Sequence, residues 1–310
     1  MKGSALATTS TVSVRTSEPP RLQPLSRLRE IAGDREILAN LVRKEVKVKY
    51  KSSVLGAAWS MLNPILYLAV FSLVFTVVLA NATPHFPVYL LSGLLAWNLF
   101  ATALALGSRS VVDNSNLVTK VYFRREILPL ASVGAAGVDF VLQGLVLVLF
   151  MAAFRYGFLG LNALLLPLSL VALVAFTSAL TLWVAGLNVR YRDTQHLLNL
   201  ALLAWFWLTP VVYPSALAYR ALGHHSSYFR YLYLANPMTD IVMGFQRALY
   251  RTVSPVHLVG GRPVAVPVLA PVSVGWLALL LGAVTAGSVG LLILAWRTFF
   301  RLSGDFAEEL

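Results

Sequence analysis

Arg43-Lys44-Glu45-Val46-Lys47-Val48-Lys49-Tyr50-Lys51-Ser52-Ser53-Val54-Leu55-Gly56-Ala57-Ala58-Trp59-Ser60-Met61-Leu62-Asn63-Pro64 carries a basic segment into an almost unbroken apolar run that reaches Leu79. On a helical wheel begun at Ile37, the residues Ile37, Leu38, Leu41, Val42, Val46 and Val48 fall within about half the circumference, while Arg43, Lys44, Lys47 and Lys51 take the other side. This is the pattern of a helix lying in a membrane interface. Glu45 and Lys49 intrude on the apolar arc, and their spacing of four allows an ion pair worth a few tenths of a kcal/mol. Leu55-Gly56 supplies a bend, because glycine tolerates backbone angles that other residues resist. Trp59 sits where an interfacial aromatic belongs.

Outward from this stretch the chain stays apolar. Of its 310 residues 58% are hydrophobic and only 12% are charged, about half the charge of an ordinary soluble domain. Six runs are long enough to cross a bilayer: 58–79, 88–106, 131–154, 161–187, 197–213 and 274–296. The expected fold is an all-α integral membrane protein of six transmembrane helices (58–301). An N-terminal amphipathic interface helix and turn (35–57) precede it, and short re-entrant outer helices lie between spans five and six (214–273). Residues 1–34, rich in Ser, Thr and Pro, read as a disordered cytoplasmic tail, and 302–310 as a second tail. The first apolar run follows too late for a cleaved signal peptide. No cysteine is present, which excludes disulfides, thiolate metal sites and a cysteine nucleophile within the chain.

The net charge of +12 raises the question of nucleic acid, and the placement of the charges answers it. Nineteen Lys and Arg fall on one side of the predicted spans and six on the other, five of those six in one long loop. Both termini are therefore predicted to be cytoplasmic in a multi-pass inner-membrane protein, with anionic lipid headgroups rather than DNA as the basic surface's partner.

Along the chain, Asn63-Pro64 predicts a kink in span one. The turn 81–87 is too short for a domain, and His85 there is a lone histidine without metal-site company. After span two, Leu117, Val118, Val121 and Tyr122 recur at helical spacing in 108–130, before Phe123-Arg124-Arg125-Glu126-Ile127-Leu128-Pro129. Asp139 is the only acid placed deep in a span, with Gln143 one turn on, and a helix-packing hydrogen bond is favoured over a proton relay because no second acid accompanies it. Gly134, Gly137 and Gly144, like Gly282, Ala286 and Gly290, permit close helix contact. Asp193 is placed to cap span five. Trp205, Phe206, Trp207 and Tyr213 offer either an aromatic wall for sugar faces or an interfacial belt. The segment holding Tyr231, Tyr233, Asn236 and Pro237 is too apolar for a free loop and too interrupted to span, while 253–271 reads as exposed loop.

The order of basic amphipathic helix, Tyr50-Lys51-Ser52-Ser53-Val54-Leu55-Gly56, Trp59-Ser60 and Leu62-Asn63-Pro64 resembles the opening of permease subunits of polysaccharide ABC exporters, the ABC-2 type family that moves O-antigens, capsules, teichoic acids and related lipid-linked glycans. Phe123-Arg124-Arg125-Glu126-Ile127-Leu128-Pro129, then Asn188-Val189-Arg190-Tyr191-Arg192-Asp193, and then Trp205 to Pro214 extend the likeness, in order, over about 37–301. The resemblance implies a homodimer bound to two copies of a separate ABC ATPase that carries ATP and Mg, since this chain holds no Gly-x4-Gly-Lys-Ser/Thr. No cofactor and no metal are expected in the chain itself. It further implies a substrate entrance at Lys44, Lys47, Lys49, Lys51, Leu55 and Gly56. ATPase coupling falls to Leu117, Lys120, Val121, Tyr122, Arg124, Arg125 and Glu126 and to Arg190, Tyr191, Arg192 and Asp193. The channel and outer gate would involve Trp205, Phe206, Trp207, Tyr213, Tyr231, Tyr233, Asn236 and Pro237. An intramembrane enzyme acting on polyprenyl-phosphate sugars is the alternative; it would need clustered carboxylates, histidines or a bound metal, whereas Asp113 and Asp193 stand isolated in the sequence and the adjacent His224-His225 alone do not define a metal site. A secondary transporter would be expected to show inverted repeats and more buried ionisable groups.

Overall fold

The basic segment folds as α1 (Arg35–Tyr50) and the chain then turns at Gly56, whose φ of +49° lies in the left-handed region that glycine enters without strain. The Gly56 amide donates to Ser53 Oγ at 3.1 Å, fixing the bend that the sequence places there. These features belong to a computed structural model that describes residues 33–51, 53, 56, 58–78, 83–120, 123–156, 160–250, 254, 256–259, 262–265, 267–303 and 306. Leu55, Val121 and Tyr122, the tail before residue 33 and most of the tail after residue 303 lie outside them.

After the turn come α2 (Ala58–Ser72), which runs through Pro64 and continues as a π-helical segment (Leu73–Val78), α3 (Phe86–Asp113), the short α4 (Ser115–Lys120) and α5 (Ile127–Ala153). A 3-10 turn (Leu161–Leu164) leads into α6 (Leu165–Arg190), followed by α7 (Thr194–Leu208), α8 (Ser215–His225), α9 (Ser227–Leu234) and α10 (Pro237–Leu249). Strands β1 (Val256–Val259) and β2 (Arg262–Ala265) precede α11 (Val274–Ser303). They pair antiparallel, with Val256 opposite Ala265, so part of the predicted loop 253–271 is a hairpin. Gly260-Gly261 between them in the sequence is the dipeptide that such a two-residue connection favours.

Among the described residues four helices are long and apolar enough to cross a membrane: α3, α5, the stretch from Asn162 through α6, and α11. Six spans were expected. The fifth shortens to α7, whose 15 residues reach only about 22 Å, because Pro210 lacks the amide a further turn would need. The first comprises α2 with its π-helical continuation.

Helix α3 is the axis of the bundle, packed by α5, α6, α7 and α10, and α6 in turn lies along α11. Tyr89, Phe100, Phe245 and Tyr250 are fully buried in the larger core around α3. A second core, at the end bearing α1 and α4, gathers Leu41, Val111, Ile127, Leu182, Trp296 and Phe299. We call this end inner and the opposite end outer, after the charge asymmetry. Large apolar side chains remain exposed along the spans, among them Val141 and Leu149 on α5, Leu200 and Leu203 on α7, and Leu279 and Leu294 on α11, a distribution that suits lipid or another membrane helix. Of the small residues, Gly134 does admit a close neighbour: a Cβ there would lie 2.6 Å from Val42 Cγ2. Gly137, Gly282 and Gly290 have no atom within 4 Å of that position.

Candidate functional site: an inner groove and an outer helical cap

At the inner end α1 lies against α5, held by apolar contact and by charge. Val42 fills the notch left by Gly134, and Leu41 enters the inner core. Lys49 Nζ donates to Asp139 Oδ2 at 2.5 Å and Tyr50 Oη to Asp139 Oδ1 at 2.7 Å, so both carboxylate oxygens face the last turn of α1. Lys44 donates to the Asn114 side chain, whose own amide holds the Ser110 carbonyl at 2.7 Å. Arg124 pairs with Asp34 just before α1.

The expected helix-packing hydrogen bond of Asp139 therefore exists, but its partner is α1, and Gln143 instead accepts from Asn98 at 2.8 Å. Lys49 gives its ammonium to Asp139 rather than to Glu45. A buried carboxylate gains more from a cation than an exposed pair along one helix does. Sequence reasoning missed this tie, although the misfit of Lys49 in the apolar arc was its signal.

With Lys44 and Lys49 so engaged, Lys47 and Lys51 remain of the four predicted entrance lysines, joined by Arg43. They line an open groove of about 460 Å³ between α1 and α5, with Val42, Val46, Tyr50 and Val138 as its apolar wall. Three cationic heads beside an apolar wall can hold an anionic headgroup whose chain stays in hydrocarbon.

The predicted coupling residues divide. Leu117 and Val118 pack into the inner core. Arg125 donates to the Ser303 carbonyl at the end of α11 and lies over the Phe306 ring, and Glu126 is buried. These residues tie the bundle together. Lys120, Arg190, Tyr191, Arg192 and Asp193 stand exposed. Asp193 has no side-chain cap bond: its φ and ψ of −66° and −15° are already helical, whereas a capping side chain needs an extended residue.

At the outer end α7 gives way at residues 209–214, and the chain continues as the short helices α8, α9 and α10. The carbonyls freed by the break are answered from α3 and α10: Gln246 Nε2 donates to Pro210 O at 2.7 Å, and Tyr89 Oη to Tyr213 O at 2.6 Å. A broken helix persists at membrane depth when protein groups satisfy its backbone in this way. Asn236 caps α10 through the Met238 amide at 3.1 Å and accepts from Trp205 Nε1 at 2.8 Å, with Pro237 at the first helical position. Trp205 and Phe206 turn inward against Phe100 and Trp97, and Tyr233 is buried. Trp207 and Tyr231 face outward, 56% and 68% exposed, and Tyr213 is half-buried. Among the described residues no group of three His, Asp or Glu could hold a metal ion.

An amphipathic helix clamped to a bundle of long apolar helices, with short helices at the opposite end, is the architecture of a multi-pass membrane protein. The family model for ABC-2 type transporters matches residues 37–250, and the chain belongs to that family. It is similar to the O-antigen export system permease protein RfbA of Myxococcus xanthus, at 37% identity over 72% of this chain and 84% of that protein. A protein of the same name from Klebsiella pneumoniae is 28% identical over 68% of this chain and 79% of its own length. The relatives are permeases, transport components rather than enzymes, and membership of this family implies an ABC ATPase as partner.

Proposed function

We propose that this chain is the permease subunit of an ATP-driven ABC exporter that carries a lipid-linked polysaccharide across the cytoplasmic membrane. In this reading it works as a homodimer with two ATPase subunits, which bind ATP and Mg. Both termini are cytoplasmic, and six segments cross the membrane, α2 and the broken α7 completing the count. The reading is carried by the α1–α5 groove, where Arg43, Lys47 and Lys51 stand beside an apolar wall, as an anionic lipid carrier requires. Its glycan would then pass along the face where Trp207 is exposed, toward the cap of α8 to α10. Lys120 and Arg190 to Asp193 are the inner residues free to receive the ATPase's push.

The test is export in a cell lacking the native gene. Combined Arg43→Gln, Lys47→Gln and Lys51→Gln should lower surface glycan at least tenfold while the protein still reaches the membrane and retains its ATPase. Unchanged export would remove the groove from the path. The enzyme alternative gains nothing from the geometry, since Asp113 is paired with Arg109 and Asp193 is solitary at the surface.

A further inference from the structure

Asp240, in the first turn of α10, is 1% exposed, and its Oδ1 has no hydrogen-bond partner among the described residues. It lines a groove of about 430 Å³ between α6, the α9–α10 turn and α11, together with Phe176, Leu234, Ala235, Val284 and Ser288. Phe176 lies about 16 Å along α6 from its outer end, and Ser288 about 21 Å along α11 from its own, so the groove sits near mid-bilayer. An ionisable side chain at that depth marks a functional site unless a partner accounts for it. Arg247, two turns along α10, lines a separate small cavity with Ser215 and Met243, and among the described residues no basic side chain lines the Asp240 groove.

Asp240 stands at the positive end of α10, and the remaining polar groups on the groove wall are acceptors. Leu234 and Ala235 form the C-terminal end of α9, where backbone carbonyls converge and the helix dipole is negative. Ser288 Oγ spends its hydrogen on the Val284 carbonyl at 2.6 Å, leaving its lone pairs as acceptors. Acceptors therefore meet a wall that is otherwise apolar. A bare inorganic cation demands six or so oxygens, more than this wall offers, whereas a primary ammonium needs three acceptors and brings an alkyl chain to cover the rest. We propose that the groove is a lateral binding site for an amphiphile bearing a protonated primary amine, with Asp240 as its counter-ion and the ring of Phe176 beside the cationic head.

The experiment uses the intact protein in nanodiscs, with thermal unfolding followed during titration by dodecylamine, dodecanol and sodium chloride. Dodecylamine should raise Tm saturably, by about 2–4 °C or more, and dodecanol should not. Asp240→Asn should reduce the amine's effect to that of the alcohol. Gly287→Leu is an independent check that leaves the carboxyl in place. Gly287 lines the groove and has nothing within 4 Å of a built Cβ among the described residues, so a leucine there starts into open groove space and should block the response. Equal shifts from amine and alcohol would overturn the proposal, as would a response undiminished in both variants. An Asp240-dependent shift produced by sodium chloride alone would overturn the assignment to an amine.

Discussion

Replacing Asp139 by asparagine removes the charge that clamps the end of α1. Two unit charges about 4 Å apart attract by about 4 kcal/mol at an effective dielectric of 20, and the Lys49–Asp139 contact is closer than that. The full figure does not apply, because the Lys49 side chain is 40% exposed and can reach water along its aliphatic stem. Tyr50 can also still bond to the asparagine oxygen. About 1–3 kcal/mol of docking free energy is therefore at stake, a shift of about 5- to 150-fold between docked and released α1. The absence of cysteine makes the assay direct. Nitroxide labels on cysteines introduced at Lys47 and at Val141, both exposed, report the α1–α5 separation as a distance distribution. Asp139→Asn should broaden it and populate longer distances, Lys49→Met should do the same, and the double variant should cost much less than the sum. A distribution indistinguishable from the parent, or a coupling below about 0.5 kcal/mol, would show that the helix is seated without the Lys49–Asp139 pair.

Other outcomes follow from the same geometry. Gly134→Ala should destabilise α1 docking by about 1–3 kcal/mol, because its Cβ would meet Val42 at 2.6 Å, and adding Val42→Ala should recover most of that loss in the same distance measurement. Gln246→Leu should cost about 1–3 kcal/mol in thermal unfolding by leaving the buried Pro210 carbonyl short of a donor, with Tyr89→Phe adding to it. Asn236→Ala should cost about 1–2 kcal/mol through the lost cap of α10, and it should shift the tryptophan emission because Trp205 loses its acceptor.

The elements that local chemistry dictates were legible in the sequence. The amphipathic arc gave α1, Gly56 gave the turn, continuous apolar runs gave the four long apolar helices, and Asn236-Pro237 gave the start of α10. What escaped were pairings between distant residues, which no local period encodes. Lys49 and Asp139 are 90 positions apart, and each looked anomalous alone: a lysine on an apolar arc and an acid inside a span. The segment around Leu117 and Val118 was ambiguous for a related reason. The apolar spacing of Leu117 and Val118 is real, but a helical face says only that something covers it, and here the covering surface is the chain's own inner core. The aromatic run 205–207 was similarly ambiguous until burial divided it, with two rings inward and Trp207 outward.

In the proposed function this membrane chain moves its glycan only through work done by a separate nucleotide-hydrolysing subunit. Proteoliposomes holding the permease, alone or with its ABC ATPase, can be loaded with the lipid-linked polysaccharide and assayed for translocation with and without ATP. Translocation is predicted only when both chains and ATP are present, and it should vanish when the ATPase is replaced by a hydrolysis-dead variant. Transfer of the glycan by the lone permease, or at an equal rate without ATP, would contradict it.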